Sequence, residues 1–277
     1  MTCQTLLVDG PYLAHRSYAA PFKLTTSHGL DATIIPTFLR SLLACHKQFQ
    51  PKETIIAWES HGTPSWRRAA NPNYKPKQAL DFNFINQVKD LQNLLYLLGI
   101  EQYYSPTNEA DDVIATLCKP DTLIYSVDKD LMQLLKQGVY QWTGKDMFDE
   151  FRVVEKFGVP PKLIPDLLAL MGDASDNIIG IRGWGQKKSS KLIARYGQVE
   201  DWFSGKDNPS LTDNEYMQVI KNKQLTTLNR NCELVKLKFT LVDLTIDAIL
   251  NKYELKKLRE SIDDYKVFKR ESIDEYF

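Results

Sequence analysis

What this sequence lacks narrows its reading first. Among its 277 residues no stretch approaches the roughly 20 uninterrupted apolar residues that a membrane-spanning helix requires. The chain starts Met1-Thr2-Cys3-Gln4, with neither a basic cluster nor a long apolar region, so no secretory signal is expected. It has only four cysteines, at positions 3, 45, 118 and 232, and none forms a Cys-x-x-Cys pair. Its four histidines (15, 28, 46 and 61) form no ligand pattern. Zinc chemistry is therefore not expected, and the cysteines read as free thiols in a reducing compartment. Internal repeats and low-complexity tracts are missing as well, while 43% hydrophobic and 25% charged residues make an ordinary globular composition. Net charge is absent too: 35 Lys+Arg balance 35 Asp+Glu. As a total, that balance argues against a nucleic-acid binder, whose domains are usually basic.

What is present is an alternation of two periodicities. Gln4–Val8, Thr54–Trp58, Gln102–Tyr104, Leu123–Val127 and Val139–Trp142 read as strands. Ile34–Phe49, Phe84–Leu98, Asp111–Cys118 and Leu131–Leu135 have helical spacing. Such alternation predicts an α/β fold, a central and mostly parallel sheet flanked by helices, over residues 1–150. From 151 to 277 the pattern is mainly helical: Leu163–Met171, Lys187–Tyr196 and Asn214–Leu228 look helical, and Val235–Val242 looks extended. Residues 60–79 resist the scheme. They hold three prolines, four basic residues and no acid, a long connection of the kind that is usually functional or mobile.

The acids fall where strands end. Asp9 closes Leu6-Leu7-Val8-Asp9, Glu59 closes Ile55-Ile56-Ala57-Trp58-Glu59, and Asp128 closes Ile124-Tyr125-Ser126-Val127-Asp128, with Asp130 two residues on. Glu109-Ala110-Asp111-Asp112 opens a helix after the third strand, and Asp173 and Asp176 lie in Gly172-Asp173-Ala174-Ser175-Asp176-Asn177. Any one of these is also the residue expected at a turn or a helix cap. Together the strand-end acids would line the crevice at the carboxyl edge of a parallel sheet, where ligands bind, joined by Asp173 and Asp176 if the 172–177 segment folds back over it. Like charges so gathered repel by several kcal/mol, roughly, at an effective dielectric near 20, unless cations or protons neutralise them. All-oxygen donors select hard ions such as Mg²⁺ or Mn²⁺, and two such ions suit phosphodiester hydrolysis.

Two acid-free segments carry cations. Gly180-Ile181-Arg182-Gly183-Trp184-Gly185-Gln186-Lys187-Lys188 leads to Lys191 and Arg195, the form of a helix–hairpin–helix over about 163–196. Its glycines allow a tight turn with exposed N–H groups at a helix start, suited to nucleic-acid backbone. In the loop, Arg67, Arg68, Lys75 and Lys77 interleave with Trp66 and Tyr74, a mixture that suits single-stranded nucleic acid as well as a solvated surface.

The ordered set Val8-Asp9-Gly10, Glu109-Ala110-Asp111-Asp112, Ser126-Val127-Asp128-Lys129-Asp130, Gly172-Asp173-x-x-Asp176-Asn177 and Gly180-x-x-Gly183-x-Gly185-x-Lys187 resembles the structure-specific 5′-nuclease superfamily. That superfamily includes flap endonucleases, the 5′-nuclease domain of bacterial family A DNA polymerases and bacteriophage 5′→3′ exonucleases; the loop is most similar to the phage branch. The resemblance implies a PIN-like core with a helical arch over about 60–84, packed as one unit with the helical region. It implies two Mg²⁺ or Mn²⁺ ions, the first held by Asp9, Glu109, Asp111 and Asp112, with Glu59 as a further metal residue acting directly or through water, and the second by Asp128, Asp130, Asp173 and Asp176. It makes Lys75 the contact to the scissile phosphate, with Arg67 or Arg68 beside it, and Arg16 a further DNA contact. It implies duplex DNA and a K⁺ ion at the 180–187 hairpin. The expected substrate is DNA with a 5′ flap or end and adjoining duplex, with RNA of RNA–DNA hybrids as an extension. The expected protein is a cytoplasmic monomer (in the host cytoplasm, for a phage enzyme).

Three departures stand out. The second strand ends in Glu59 where the superfamily usually has Asp, Tyr74-Lys75-Pro76-Lys77-Gln78 replaces its Tyr-Lys-x-x-Arg, and His15 stands where an aromatic is common. Two alternatives remain at this point: a PIN-like metal-dependent ribonuclease and a catalytically silent branched-DNA-binding module. The charge balance also reads differently now. Setting aside the nine acids leaves 26 acidic residues against 35 basic ones, and nine cations lie in the loop and the hairpin. Neutrality is the sum of an acidic pocket and a basic surface.

Overall fold

The structure, a computed structural model, describes residues 2–25, 31–59, 65–75, 81–203 and 225–238. Strands β1 (Thr5–Asp9), β2 (Glu53–Glu59), β3 (Glu101–Ser105), β4 (Thr122–Tyr125), β5 (Val139–Trp142) and β6 (Met147–Phe148) form one sheet in the order β3-β2-β1-β4-β5-β6. Every pairing is parallel except that of β6 with β5. The register sets Val8 beside Ile56 and Tyr125, so Asp9, Glu59 and the residues after Tyr125 leave the sheet at one edge. The chain leaves β1 for β2 on one side and reaches β4 on the other, which opens a crevice at that edge.

Nine helices accompany the strands among the described residues: α1 (Gly10–Tyr18), α2 (Ile34–Phe49), α3 (Trp66–Ala70), α4 (Phe82–Leu97), α5 (Ala110–Leu117), α6 (Glu150–Phe157), α7 (Ile164–Met171), α8 (Gln186–Tyr196) and α9 (Leu225–Val235). The two-residue period of β1 splits its side chains between two cores. Leu6 and Val8 pack with Leu13, Phe38, Leu42, Leu91 and Leu95 of α1, α2 and α4. Leu7 packs on the other face, in a cluster that runs through Ile114 of α5 and Leu167 of α7 to Leu192 of α8 and Leu234 of α9. The helical region thus shares a core with the sheet.

The structure departs from the periodicity in particular places. Residues 131–135 form a 3₁₀ turn, Asp130–Leu134, and not an α-helix. The extended stretch expected at 235–242 is corrected: Val235 ends α9, residues 236–238 form no strand, and 239–242 lie outside the described residues. Its apolar alternation comes from Leu234, Val235 and Leu237, all buried in the second core. Of the helix expected at 214–228, residues 214–224 lie outside the described residues and 225–228 open α9. Within the basic loop, α3 is capped by Ser65, whose side chain accepts from the Arg68 N–H. Helix α1 hides behind an apparent Gly-Pro turn, because Asp9 caps it and Pro11 sits at its start, where no N–H is needed.

One contact locks the two later segments together. A Cβ on Gly180 would lie 2.3 Å from the Gly172 nitrogen, and one on Gly172 would lie 2.6 Å from the Gly180 nitrogen. Only glycine at both positions allows the backbones to touch so closely.

Candidate active site

Asp9 is fixed twice: it accepts from the Tyr12 N–H at 3.0 Å as the cap of α1, and from Ser126 Oγ at 2.7 Å. Burial pushes its pKa up to about 6, with the Asp128 charge adding to the rise. Asp111, buried on the first turn of α5, lies well above the usual carboxylate range because of burial and the charges of Asp128 and Asp9. Asp130 is raised in the same way, by burial and then by Asp128, Asp176 and Asp173. Its Oδ1 is buried and has no hydrogen-bond partner among the described residues. The Asp130 N–H donates to Asp128 Oδ1 at 2.9 Å, which draws these two acids together after β4.

The remaining acids have cations beside them. Glu109, at the N-cap of α5, receives Lys75 Nζ at 2.8 Å, Ser65 Oγ at 2.7 Å and Tyr74 OH at 3.2 Å. Burial raises its pKa, but Lys75 and Arg67 outweigh burial and hold it below its ordinary value. Asp173 receives Lys129 Nζ at 2.6 Å, and it too is held low against burial by Lys129 and Ser175. Asp176 accepts from Tyr74 OH at 2.8 Å and lies 3.6 Å from Lys75 Nζ, yet burial still raises it. Lys75 thus bridges the acids of α5 and those of the 172–177 loop. Its ammonium is held well above its ordinary pKa because Glu109, Tyr74, Asp111 and Asp176 outweigh burial. Its backbone is left-handed at φ 39°, and its N–H donates to the Asp176 carbonyl at 3.2 Å.

Two residues expected in the chemistry sit elsewhere. Arg67, expected near the scissile phosphate, is only 1% exposed, and its guanidinium grips Asp112 through both nitrogens, at 2.6 and 2.8 Å. Asp112, expected at the first metal, is 0% exposed and spends its oxygens on Arg67, Trp66 Nε1 and the N–H groups of Glu109 and Lys238. A carboxylate so enclosed has no lone pair to turn toward the crevice. Tyr74, read as a base-stacking ring, is buried, with its hydroxyl on the acids. The Trp66 ring is flanked by Arg67 at 4.5 Å and Lys238 at 3.6 Å. Glu59 is exposed at the end of β2, where its charge acts on His15. Lys77 lies outside the described residues, as does much of 60–80.

Of the other cations, Arg68 donates to the Lys75 carbonyl, and exposed Arg16 donates to Tyr125 OH at 2.8 Å. Arg182, Gly183, Gly185, Lys187 and Lys191 are exposed on the hairpin and α8, and Lys188 lies 4.7 Å over the Trp184 ring. Gly183 has φ 80° and α8 starts with no side-chain cap. Three organising residues had no role in the sequence reading: Ser65, and Ser126 and Lys129, which stood only as parts of a motif. Ser126 donates to Asp9 and accepts from the Asp128 N–H at 3.1 Å, so it spaces two acids. The signal was a small hydroxyl two residues before a strand-end Asp.

In this geometry no three His, Cys, Asp or Glu side chains among the described residues form a group that encloses an ion. A divalent cation is nevertheless what the donor set fits. The donors are all oxygen, four carboxylates (Asp9, Asp111, Asp130 and Asp176) have raised pKa values, and one buried carboxylate oxygen is orphaned.

This edge of the sheet, with buried acids beside an exposed basic hairpin, defines a nuclease-like site. The chain belongs to the 5′-3′ exonuclease family: the N-terminal resolvase-like domain of that family matches residues 4–158, and its C-terminal SAM fold matches 159–264. A 5′-3′ exonuclease of Aquifex aeolicus is 30% identical over 270 residues, covering 93% of this chain and 90% of that protein. The thermostable DNA polymerase I of Thermus filiformis is 36% identical over 218 residues, 74% of this chain and 25% of the polymerase. The bacteriophage T5 flap endonuclease, in a structure with DNA and metal ions, shares the fold at TM-score 0.66 and 21% identity, covering 99% and 96% of the two chains. The protein is therefore a 5′-nuclease by family, with a fold that the T5 enzyme shares. Among the described residues, no helix is long and apolar enough to cross a membrane.

Proposed function

We propose that this protein is a cytoplasmic, monomeric, divalent-metal-dependent 5′→3′ exonuclease and flap endonuclease. Its substrate is DNA with a 5′ single-stranded flap or end and adjoining duplex. The observation that carries the reading is the set of carboxylates at the carboxyl edge of the sheet, with Lys75 bridging those of α5 and those of the 172–177 loop. Asp9, Asp111, Asp128 and Asp130 are the residues to hold Mg²⁺ or Mn²⁺, with Glu109, Asp173 and Asp176 completing the set. When bound, such ions supply activated water and charge stabilisation at the phosphodiester. Lys75 holds a fixed positive charge at the centre of the crevice, placed to stabilise charge developing on a phosphate oxygen. The cations of the hairpin and α8 bind duplex backbone and hold the junction in register without reading bases. The hairpin carbonyls are also the place for a K⁺ ion.

A 5′-labelled flap substrate incubated with Mg²⁺ should release short labelled products, and EDTA should stop their release. Equal outcomes in the two tubes would sink the reading. Substitution of RNA in the flap strand tests the extension to hybrids.

A further inference from the structure

We propose that Arg67 and Asp112 are positioning residues: their buried ion pair clamps α3, α5 and residues 234–238 into one unit that sets Lys75 and Glu109 for the reaction. The inference rests on the function proposed above and goes beyond it. It assigns to two expected site residues a task performed from behind the crevice.

The clamp joins three parts of the chain far apart in sequence. From α3, Arg67 makes two parallel bonds to Asp112 on α5, at 2.6 and 2.8 Å. The same guanidinium donates from Nε to the Leu234 carbonyl at 2.7 Å, at the end of α9. Asp112 answers by accepting from the Lys238 N–H at 2.9 Å, and Lys238 Nζ lies 3.6 Å from the centre of the Trp66 ring. Trp66 closes the circuit, with Nε1 on Asp112 at 3.1 Å and its N–H on the Thr107 carbonyl at 2.9 Å. A fork of two parallel bonds fixes angle as well as distance, which a lysine or an exposed pair cannot do.

The clamp reaches the crevice through Glu109. Asp112 accepts the Glu109 N–H at 3.3 Å, and Ser65, one residue before α3, donates to Glu109 Oε1 at 2.7 Å. Glu109 Oε2 then holds Lys75 Nζ at 2.8 Å. Arg68, the neighbour of Arg67 on α3, holds the Lys75 carbonyl. A slip of α3 against α5 therefore moves both ends of Lys75. A displacement of about 1 Å in a group that meets the reacting phosphate can cost on the order of 100-fold in rate.

Truncation at either residue would leave a cavity, so the test uses shape-conserving variants, Asp112→Asn and Arg67→Lys; because Asp112→Asn leaves the buried Arg67 without its counter-charge, folding of both is checked by thermal melting. Both should lower kcat at least ten-fold, while KM for the flap substrate stays within about three-fold. Mg²⁺ binding measured by calorimetry should match that of the parent for Asp112→Asn and be lost for Asp128→Asn. The double variant Lys75→Ala/Asp112→Asn should be no slower than Lys75→Ala alone, because the pair acts through the lysine. Weakened Mg²⁺ binding in Asp112→Asn would make it a metal ligand and overturn the proposal. Multiplying losses in the double variant would overturn it too. A parent enzyme that cleaves while either result occurs leaves the functional reading intact, whereas a parent that cleaves nothing removes both.

Discussion

Glu109 and Asp173 are as deeply buried as Asp111 and Asp130, at 6% and 5% exposure against 8% and 5%, yet their ionisation is pushed in opposite directions. The first two lie below the usual carboxylate range and the other two well above it. Burial raises all four, so it cannot by itself push two of them down. What separates them is an ammonium group, Lys75 at 2.8 Å from Glu109 and Lys129 at 2.6 Å from Asp173, whereas Asp111 and Asp130 face other carboxylates. The comparison shows which acids the protein neutralises with its own cations; on the proposed function the others are the ones a divalent cation would neutralise.

Four experiments would break or sharpen that contrast. The largest effect is expected at the acids without an ammonium partner: Asp128→Asn or Asp130→Asn should reduce flap cleavage by about 1000-fold or more, while a gel-shift assay shows flap DNA still bound. Retained turnover would remove that residue from the reaction. Next, Lys75→Ala should cost roughly 100-fold in kcat. It should also raise the Glu109 pKa toward that of its unpartnered neighbours, read by carboxyl-carbon NMR titration; an unmoved Glu109 would break the comparison.

The third concerns stability in the absence of metal. Asp9 has a folded-state pKa of about 6 against 3.8 ordinarily. A raised carboxylate contributes stability below its unfolded pKa and loses it as pH rises through the folded one. The metal-free protein should therefore weaken from pH 4 to pH 7, by about 3 kcal/mol from Asp9 alone. Mg²⁺ should restore Tm more at pH 7.5 than at pH 5, and equal restoration at both would contradict the assignment. The smallest change is expected far from the acids. Lys187→Ala on the hairpin should weaken duplex binding several-fold and lower the salt dependence of log Kd by about one unit, with kcat at saturation unchanged.

The sheet was legible from the chain because its strands are short apolar or β-branched and aromatic runs separated by helical spacing, and Val139–Trp142 and the α2 range match the structure residue for residue. Helix α1 was not, since Gly10-Pro11 reads as a turn until Asp9 is known to cap it. The gathering of Asp9, Asp111, Asp128 and Asp130 around one crevice follows from parallel topology, which periodicity discloses; Asp173 and Asp176 join them only because the 172–177 loop folds back onto Tyr74, Lys75 and Lys129. The fate of Asp112 does not follow from it. Asp111 and Asp112 are neighbours of identical type, and only the helix rotation of about 100° per residue sends one to the crevice and the other to Arg67. A pairing 45 positions apart in sequence leaves no local trace.

The back-to-back glycines at 172 and 180 carry a last consequence. They fix the offset between the loop that bears Asp173 and Asp176 and the hairpin proposed to bind duplex, with no side chain between them to compress or swing. On the proposed chemistry that contact is a ruler: it sets how many nucleotides separate the cut from the gripped backbone. Gly180→Ala would lengthen the ruler, and the enzyme would be expected to cut at a shifted position as well as more slowly, which sequencing-gel resolution of the products would read directly.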